Sequence, residues 1–145
     1  MSVEQSFAVA LHSVSVLACV APKLVTASFI AENISVNPVI VRRTLVHLVK
    51  EGIVRSQPGL KGGYFLVHDP GKITLLDVLK AVRQNGEFTR RHGFPSAKCE
   101  AGVAVEKVLE KVFIEADQAM YQYFERVTLG QVLAEAGVRP LAQTG

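Results

Sequence analysis

At 145 residues and 49% hydrophobic, the chain is long enough for one compact core, or for a small domain with an appended element, and too apolar to remain disordered. Its formal net charge of +3 and pI near 9.0 agree with an anionic partner without requiring one. Only two cysteines are present, Cys19 and Cys99, which excludes a disulfide scaffold and a CxxC metal or redox pair.

The most apolar early run, Phe7 to Ala21, is shorter than the roughly 20 residues that span a bilayer and is interrupted by His12, Ser13 and Ser15. No basic residue precedes it, so it lacks the front end of a signal peptide. A cytoplasmic protein with reduced cysteines and no membrane partner is expected. Within the run, Phe7, Ala10, Leu11, Val14, Leu17 and Ala18 recur at spacings of three and four, which predicts a first helix closed by Pro22. Cys19 falls at its end, where a small buried thiol is the ordinary reading.

A second helix of about two turns begins at Thr26, whose hydroxyl can cap the free amides of Ser28 or Phe29, and turns Phe29, Ile30 and Ile34 inward. The third helix has the clearest start in the chain. Asn37 is a strong N-cap type, and Pro38 suits the first helical position because the N–H it lacks would have no partner there. Val41, Leu45 and Leu48 share the face that must pack inward, while Val39, Arg43, Val46, His47 and Lys50 lie opposite with Arg42 on their flank. Such a helix fits the major groove of duplex DNA, where arginine reaches guanine O6 and N7 and a small apolar side chain touches a thymine methyl.

After Gly52, the runs Ile53 to Ser56 and Tyr64 to Val67 predict two strands, joined by a loop from Gln57 to Gly63 with three glycines and one proline. Glycine there lets backbone approach a phosphate or enter the minor groove, and Lys61 is the charged tip. Between Thr26 and Gly63 the basic residues are Arg42, Arg43, Lys50, Arg55 and Lys61 and the acidic ones are Glu32 and Glu51, so this segment holds the whole net charge of the chain. The candidate DNA contacts are therefore Thr26, Ser28, Asn37, Pro38 and Val39, then Arg42, Arg43, His47 and Lys50, and on the wing Arg55, Lys61 and Gly62. An ordinary solvated hairpin with an exposed lysine is the alternative for the wing taken alone.

Thr74 to Asp77 reads as a T-x-x-D start for a helix through about Val82. Residues 85–102 read as loop, with Arg90, Arg91, His92 and Lys98 around Cys99. A long helix is predicted from near Val103 to about Arg126, with Val105, Val108, Leu109, Val112, Phe113, Ala116, Met120 and Tyr123 on one stripe. At about 1.5 Å per residue it would be some 35 Å long, more than a small winged domain covers, so a second copy of the helix in a two-fold dimer is the simplest partner. The candidate dimer contacts are Val105, Leu109, Val112, Phe113, Ala116 and Met120, with burial against the first helix of the same chain as the alternative. Thr128 to Gln131 opens a short last helix.

Enzyme chemistry finds no support. Gly59 to Gly63 lacks the P-loop spacing, the four histidines make no metal-ligand pattern, and no nucleophile, base and orienter stand together. The fold class is mainly α with a small β-hairpin wing: a winged helix-turn-helix plus a long C-terminal dimerisation helix. It divides into a DNA-binding domain over 1–84, an effector or sensor loop over 85–102, and the dimerisation helix with a short final helix over 103–145.

Ile30-Ala31, the turn Ile34 to Pro38, the run Val41 to Leu45, the segment Leu48 to Val54, Gly62-Gly63-Tyr64 and Ile73 to Val78 together resemble the Rrf-two family of bacterial winged-helix transcription regulators. The resemblance extends over nearly the whole chain and implies a homodimeric regulator of double-stranded DNA, expected to be a repressor. Two departures stand out. Cluster-binding members carry three cysteines in the loop before the long helix, whereas this loop has only Cys99, so no iron-sulfur cofactor and no metal site are expected. The wing of several members has an arginine before its Gly-Pro-Gly, where this chain has Pro58 and offers Lys61 and Arg55. The chain looks closest to a cluster-free subgroup whose turn contains Asn-Pro-Val.

Two other readings stay open. Basic neighbours can favour a reactive Cys99 thiolate, with His92 beside it, which would make the protein a thiol-based redox sensor on the same scaffold. A protein-interaction module without specific DNA binding is the alternative of another class. The effector, operator and regulated genes are not readable from the sequence.

Overall fold

A computed structural model of the chain describes residues 2–83 and 100–139. Helix α1 (Val3–Val20) opens on a capping box in which the Ser2 hydroxyl accepts from the Gln5 amide at 3.2 Å and the Gln5 side chain accepts from the Ser2 amide at 3.1 Å. It buries Phe7, Ala10, Val14, Leu17 and Ala18 at the expected spacing, together with Val9 and Ser13. The Ser13 hydroxyl is satisfied by donating to the Val9 carbonyl at 2.7 Å, which makes its complete burial tolerable. By length and composition α1 is also apolar enough to cross a membrane. Its apolar side chains instead form the centre of the core.

Helix α2 (Ala27–Ile34) is capped by Thr26, whose hydroxyl accepts from the Phe29 amide at 3.1 Å. It stops at Ser35, which adopts a left-handed conformation with φ 55° and turns the chain sharply. Helix α3 (Pro38–Lys50) starts two residues after Val36, with the Asn37 side chain accepting from the Val39 amide at 2.9 Å and Pro38 in the first turn. Val41, Leu45 and Leu48 are completely buried on the side of α3 that packs against α1 and α2.

Strands β1 (Val54–Gln57) and β2 (Gly63–Leu66) pair antiparallel in the register Val54 with Leu66 and Gln57 with Gly63. Both strands thus sit one residue away from the expected runs, and the connecting loop is 58–62 rather than 57–63. The reason lies at Gly63. A β-carbon there would stand 2.7 Å from the Val25 carbonyl oxygen, so only glycine lets β2 run this close to the segment that enters α2. Tyr64 then donates its amide to the Val25 carbonyl at 2.8 Å and extends the wing by one bridge.

A 3-10 turn over Pro70–Lys72 leads to α4 (Leu75–Val82), which has the expected capping box between Thr74 and Asp77. The long helix α5 (Glu100–Arg126) begins at Glu100, so the last three residues of the expected 85–102 loop are helical. An acidic residue in the first turn complements the positive end of the helix dipole and favours this earlier start. Cys99 and His92 fall outside the described residues. Helix α6 (Leu129–Glu135) closes the fold with the expected Thr128 and Gln131 box.

Helices α4 and α6 start side by side. Leu75 donates its amide to the Val127 carbonyl at 2.9 Å, and Leu129 donates to the Ile73 carbonyl at 2.7 Å. This reciprocal bridge ties the C-terminal end of α5 to the domain. The same end packs on α1 through Phe124, whose ring lies 5.3 Å from that of Phe7, and Met120 and Tyr121 pack against the core. Arg83, at the end of α4, donates to the Tyr121 hydroxyl.

Candidate nucleic-acid interface

The outward face of α3 carries Val39, Arg42, Arg43, Val46 and Lys50, all exposed. Val39 and Val46 keep 50% and 63% of their surface in contact with solvent. Thr44, by contrast, is turned inward and donates to the Ile40 carbonyl at 2.9 Å. His47 is half-buried at the edge of the outward face. Among the described residues no carboxylate forms an ion pair with Arg42, Arg43, Lys50, Arg55 or Lys61. Their charge therefore stays available to an external anion, where counterion release supplies affinity.

The cap residues act first on the fold. The Thr26 hydroxyl and the Asn37 carbonyl oxygen are each spent on a helix amide, so their closeness to the outward surface follows from their place in the turn. Pro38 is exposed beside them, and Ser28 is half-buried on the first turn of α2.

An open cleft of about 520 Å³ lies between the start of α2 and the wing. Thr26, Ser28 and Arg42 line one side, while Ser56, Gln57, Tyr64 and the wing glycines line the other. The fold thus joins the expected Thr26, Ser28, Arg42 and Gly62 in one concave surface. Ser56, Gln57 and Tyr64 are additions. The three exposed residues in succession on β1 after buried Val54 depart from strand alternation, and polar side chains in such a run are the signal that marks Ser56 and Gln57. Gly62 is confined, since a β-carbon there would sit 2.0 Å from the Gln57 carbonyl oxygen. Its amide donates to the Gly59 carbonyl at 3.0 Å and closes a turn with Leu60 and Lys61 at the apex. Arg55 is exposed on β1.

On α5 the expected stripe divides. Val105, Val112 and Ala116 are exposed, Leu109 and Phe113 are half-buried, and Met120 packs on the core of its own chain. Val108, between them, is 62% exposed. The inward face of the helix is instead carried by Asp117, Met120, Tyr121 and Phe124, roughly a third of a turn away from the exposed aliphatic residues.

Metal chemistry finds few donors. Among the described residues no three His, Cys, Asp or Glu side chains are placed to hold an ion. Cys19 is half-buried on α1, and burial raises its thiol pKa above the usual value, which disfavours the thiolate a metal would need. Each chain has two cysteines, fewer than the four thiolates that hold a conventional iron-sulfur centre.

Two consecutive helices joined by a tight turn, the second exposing arginines and small apolar groups beside a glycine-tipped hairpin, define a winged helix-turn-helix regulator of transcription. The chain belongs to the Rrf2 family, whose profile, described as an iron-dependent transcriptional regulator, matches residues 3–135. Members of this family are DNA-binding regulators and not enzymes. The chain is 30% identical over 131 residues to the "Putative HTH-type transcriptional regulator YwnA" of Bacillus subtilis (strain 168), covering 90% of this chain and 96% of that protein. A solved structure described as "a putative DNA binding protein" is 30% identical, with a TM-score of 0.73 over 88% of this chain and 98% of that one. A solved structure described as "a putative transcriptional regulator from Lactobacillus plantarum", at 24% identity, shares the fold with a TM-score of 0.79 over 92% of this chain and 91% of that one.

Proposed function

We propose that the protein is a cytoplasmic, homodimeric repressor that binds a specific two-part operator in double-stranded DNA without an iron-sulfur cluster. The observation that carries this reading is the outward face of α3. Unpaired arginines and exposed valines there match the mixture of acceptors and thymine methyls on the major-groove edges of bases. Arg43, near the start of the helix, is assigned to a base edge, and Lys50, Arg55 and Lys61 to phosphates. Thr26, Ser28 and Arg42 flank the strand that would pass through the cleft.

Dimerisation is supported by the exposed aliphatic residues of α5. Val105, Val108 and Val112 recur along a helix that, among the described residues, packs on the core through Met120, Tyr121 and Phe124 near its C-terminal end. A two-fold pair of such helices buries the stripe and sets two α3 helices at a fixed separation. A dimer seated across a promoter blocks it by occupancy, which is the basis for assigning repression. Within the chain, residues 1–84 carry DNA binding and 103–145 carry assembly, with the segment between them assigned to effector response. Binding to the DNA upstream of the gene, compared with random duplex, tests the DNA assignment. Sedimentation tests the dimer, and a reporter that rises when the gene is deleted tests repression.

A further inference from the structure

Leu60 stands at the apex of the wing with its whole side chain in solvent, the most exposed large apolar residue among those described. Two constraints hold it there. The Gly62 amide closes the turn onto the Gly59 carbonyl at 3.0 Å, and Gly62 is too tightly packed against the Gln57 carbonyl oxygen to accept a β-carbon. The turn therefore offers Leu60 and Lys61 together, an apolar group next to a cation, between Gly59 and Gly62, which line the cleft with Arg42 and Ser28. Neither side chain has a role in the core.

We propose that Leu60 enters the minor groove of bound DNA and makes the protein prefer A·T over G·C pairs beneath the wing. This rests on the DNA-binding reading above and adds a specificity-determining residue to it. The minor groove is about 6 Å wide, which admits a single side chain but not a helix. Its floor differs between pairs at one group: G·C places the guanine 2-amino donor in the groove, and A·T leaves that space open. Leucine offers no acceptor, so a guanine amino group beneath it is both crowded and stripped of water without a partner. Over A·T pairs the side chain instead packs against the sugar walls, as apolar wedges do in minor-groove proteins, while Lys61 meets the adjacent phosphate.

The test uses the full chain and the duplex it protects. Hydroxyl-radical footprinting identifies the pairs whose minor groove the wing covers, and those pairs are then replaced by G·C or by inosine·cytosine, which lacks the 2-amino group. The wild type is expected to bind the A·T and inosine·cytosine duplexes with similar affinity and the G·C duplex about five- to tenfold more weakly, the discrimination of about one contact. Leu60→Ala should bring the three duplexes within twofold of one another and keep the salt dependence of wild type. Lys61→Ala should keep the preference and lessen the salt dependence. Equal binding of G·C and inosine·cytosine by the wild type, or an unchanged preference in Leu60→Ala, overturns the proposal while leaving DNA binding intact. A wild type that binds no duplex removes both.

Discussion

Gly63 lies so close to Val25 that a β-carbon on it would be 2.7 Å from the Val25 carbonyl oxygen and 2.8 Å from its nitrogen. Because those atoms are backbone, neither can swing aside as a flexible side chain would. The contact, with the Tyr64 amide bonded to the Val25 carbonyl, fixes the wing against the residue that leads into the Thr26 cap of α2. The close approach holds the outer strand of the wing, while its inner strand is tied to α3 by the Ile53 amide donating to the Leu48 carbonyl at 3.0 Å.

Gly63→Ala is accordingly expected to destabilise the fold by about 1–3 kcal/mol, the usual range for overpacking, and to displace the wing. Urea denaturation reads the first effect. Operator affinity at fixed salt, measured well below the unfolding transition, reads the second. A variant of wild-type stability and affinity would show that the contact is easily relieved.

The reciprocal bridge between Thr74 and Thr128 predicts a coupled pair. Each threonine caps a helix through its hydroxyl, at 3.0 Å to the Asp77 amide and 3.1 Å to the Gln131 amide. Alanine at either position should cost about 1 kcal/mol. The double variant should depart from the sum of the two, since the caps share a bridge. Strict additivity in thermal denaturation would mean that the bridge transmits nothing.

On α3 and the wing, two substitutions should separate reading from holding. Arg43→Ala is expected to weaken operator binding by about 1–3 kcal/mol and to relax preference at one base position. Lys61→Ala should weaken operator and random duplex about equally. Competition binding distinguishes them, and unchanged affinity in both variants would remove the assigned surface.

The expected face of α3 was legible because its evidence is local. Asn37-Pro38 gives the helix start, and Val41, Leu45 and Leu48 keep strict helical spacing, so burial followed periodicity. The same holds for the boxes at Thr74 and Thr128. What was not legible depended on distant parts of the chain. The strand bounds differ by one residue each, although Ser56 still pairs with Tyr64, because the constraint on Gly63 comes from Val25, which no local pattern connects to it. On α5 the longest aliphatic stripe marked the exposed face, while the domain took the aromatic side of the helix through Tyr121 and Phe124. Leu60 carries no local signature, because a single apolar residue in a glycine-rich loop has no periodicity to reveal it.

The exposed stripe predicts that Val112→Glu yields a monomer, because each copy would bring an unpaired charge into a hydrophobic contact. Val112 is far enough from the core for the monomer to remain folded, which circular dichroism checks. Operator binding should weaken with dimer loss, since two half-sites can no longer be held at once. Sedimentation of the wild type as a monomer at micromolar concentration would contradict the assembly.

Protein purified without oxygen should be colourless and bind its operator without added iron, given the two cysteines of the chain. The burial that raises the Cys19 pKa should also slow its alkylation at neutral pH relative to a free thiol. Iron-sulfur absorbance with stoichiometric iron would reverse the cofactor assignment.

The central claim is specific DNA binding through α3 and the wing, and the most direct measurement is affinity for the gene's upstream region and for random duplex across a salt series. Upstream DNA should be bound at least about a thousandfold more tightly, and both affinities should fall as salt rises, by nearly one logarithmic unit of slope per phosphate contacted. Equal affinity for the two duplexes at every salt concentration, or no binding to either, would contradict it.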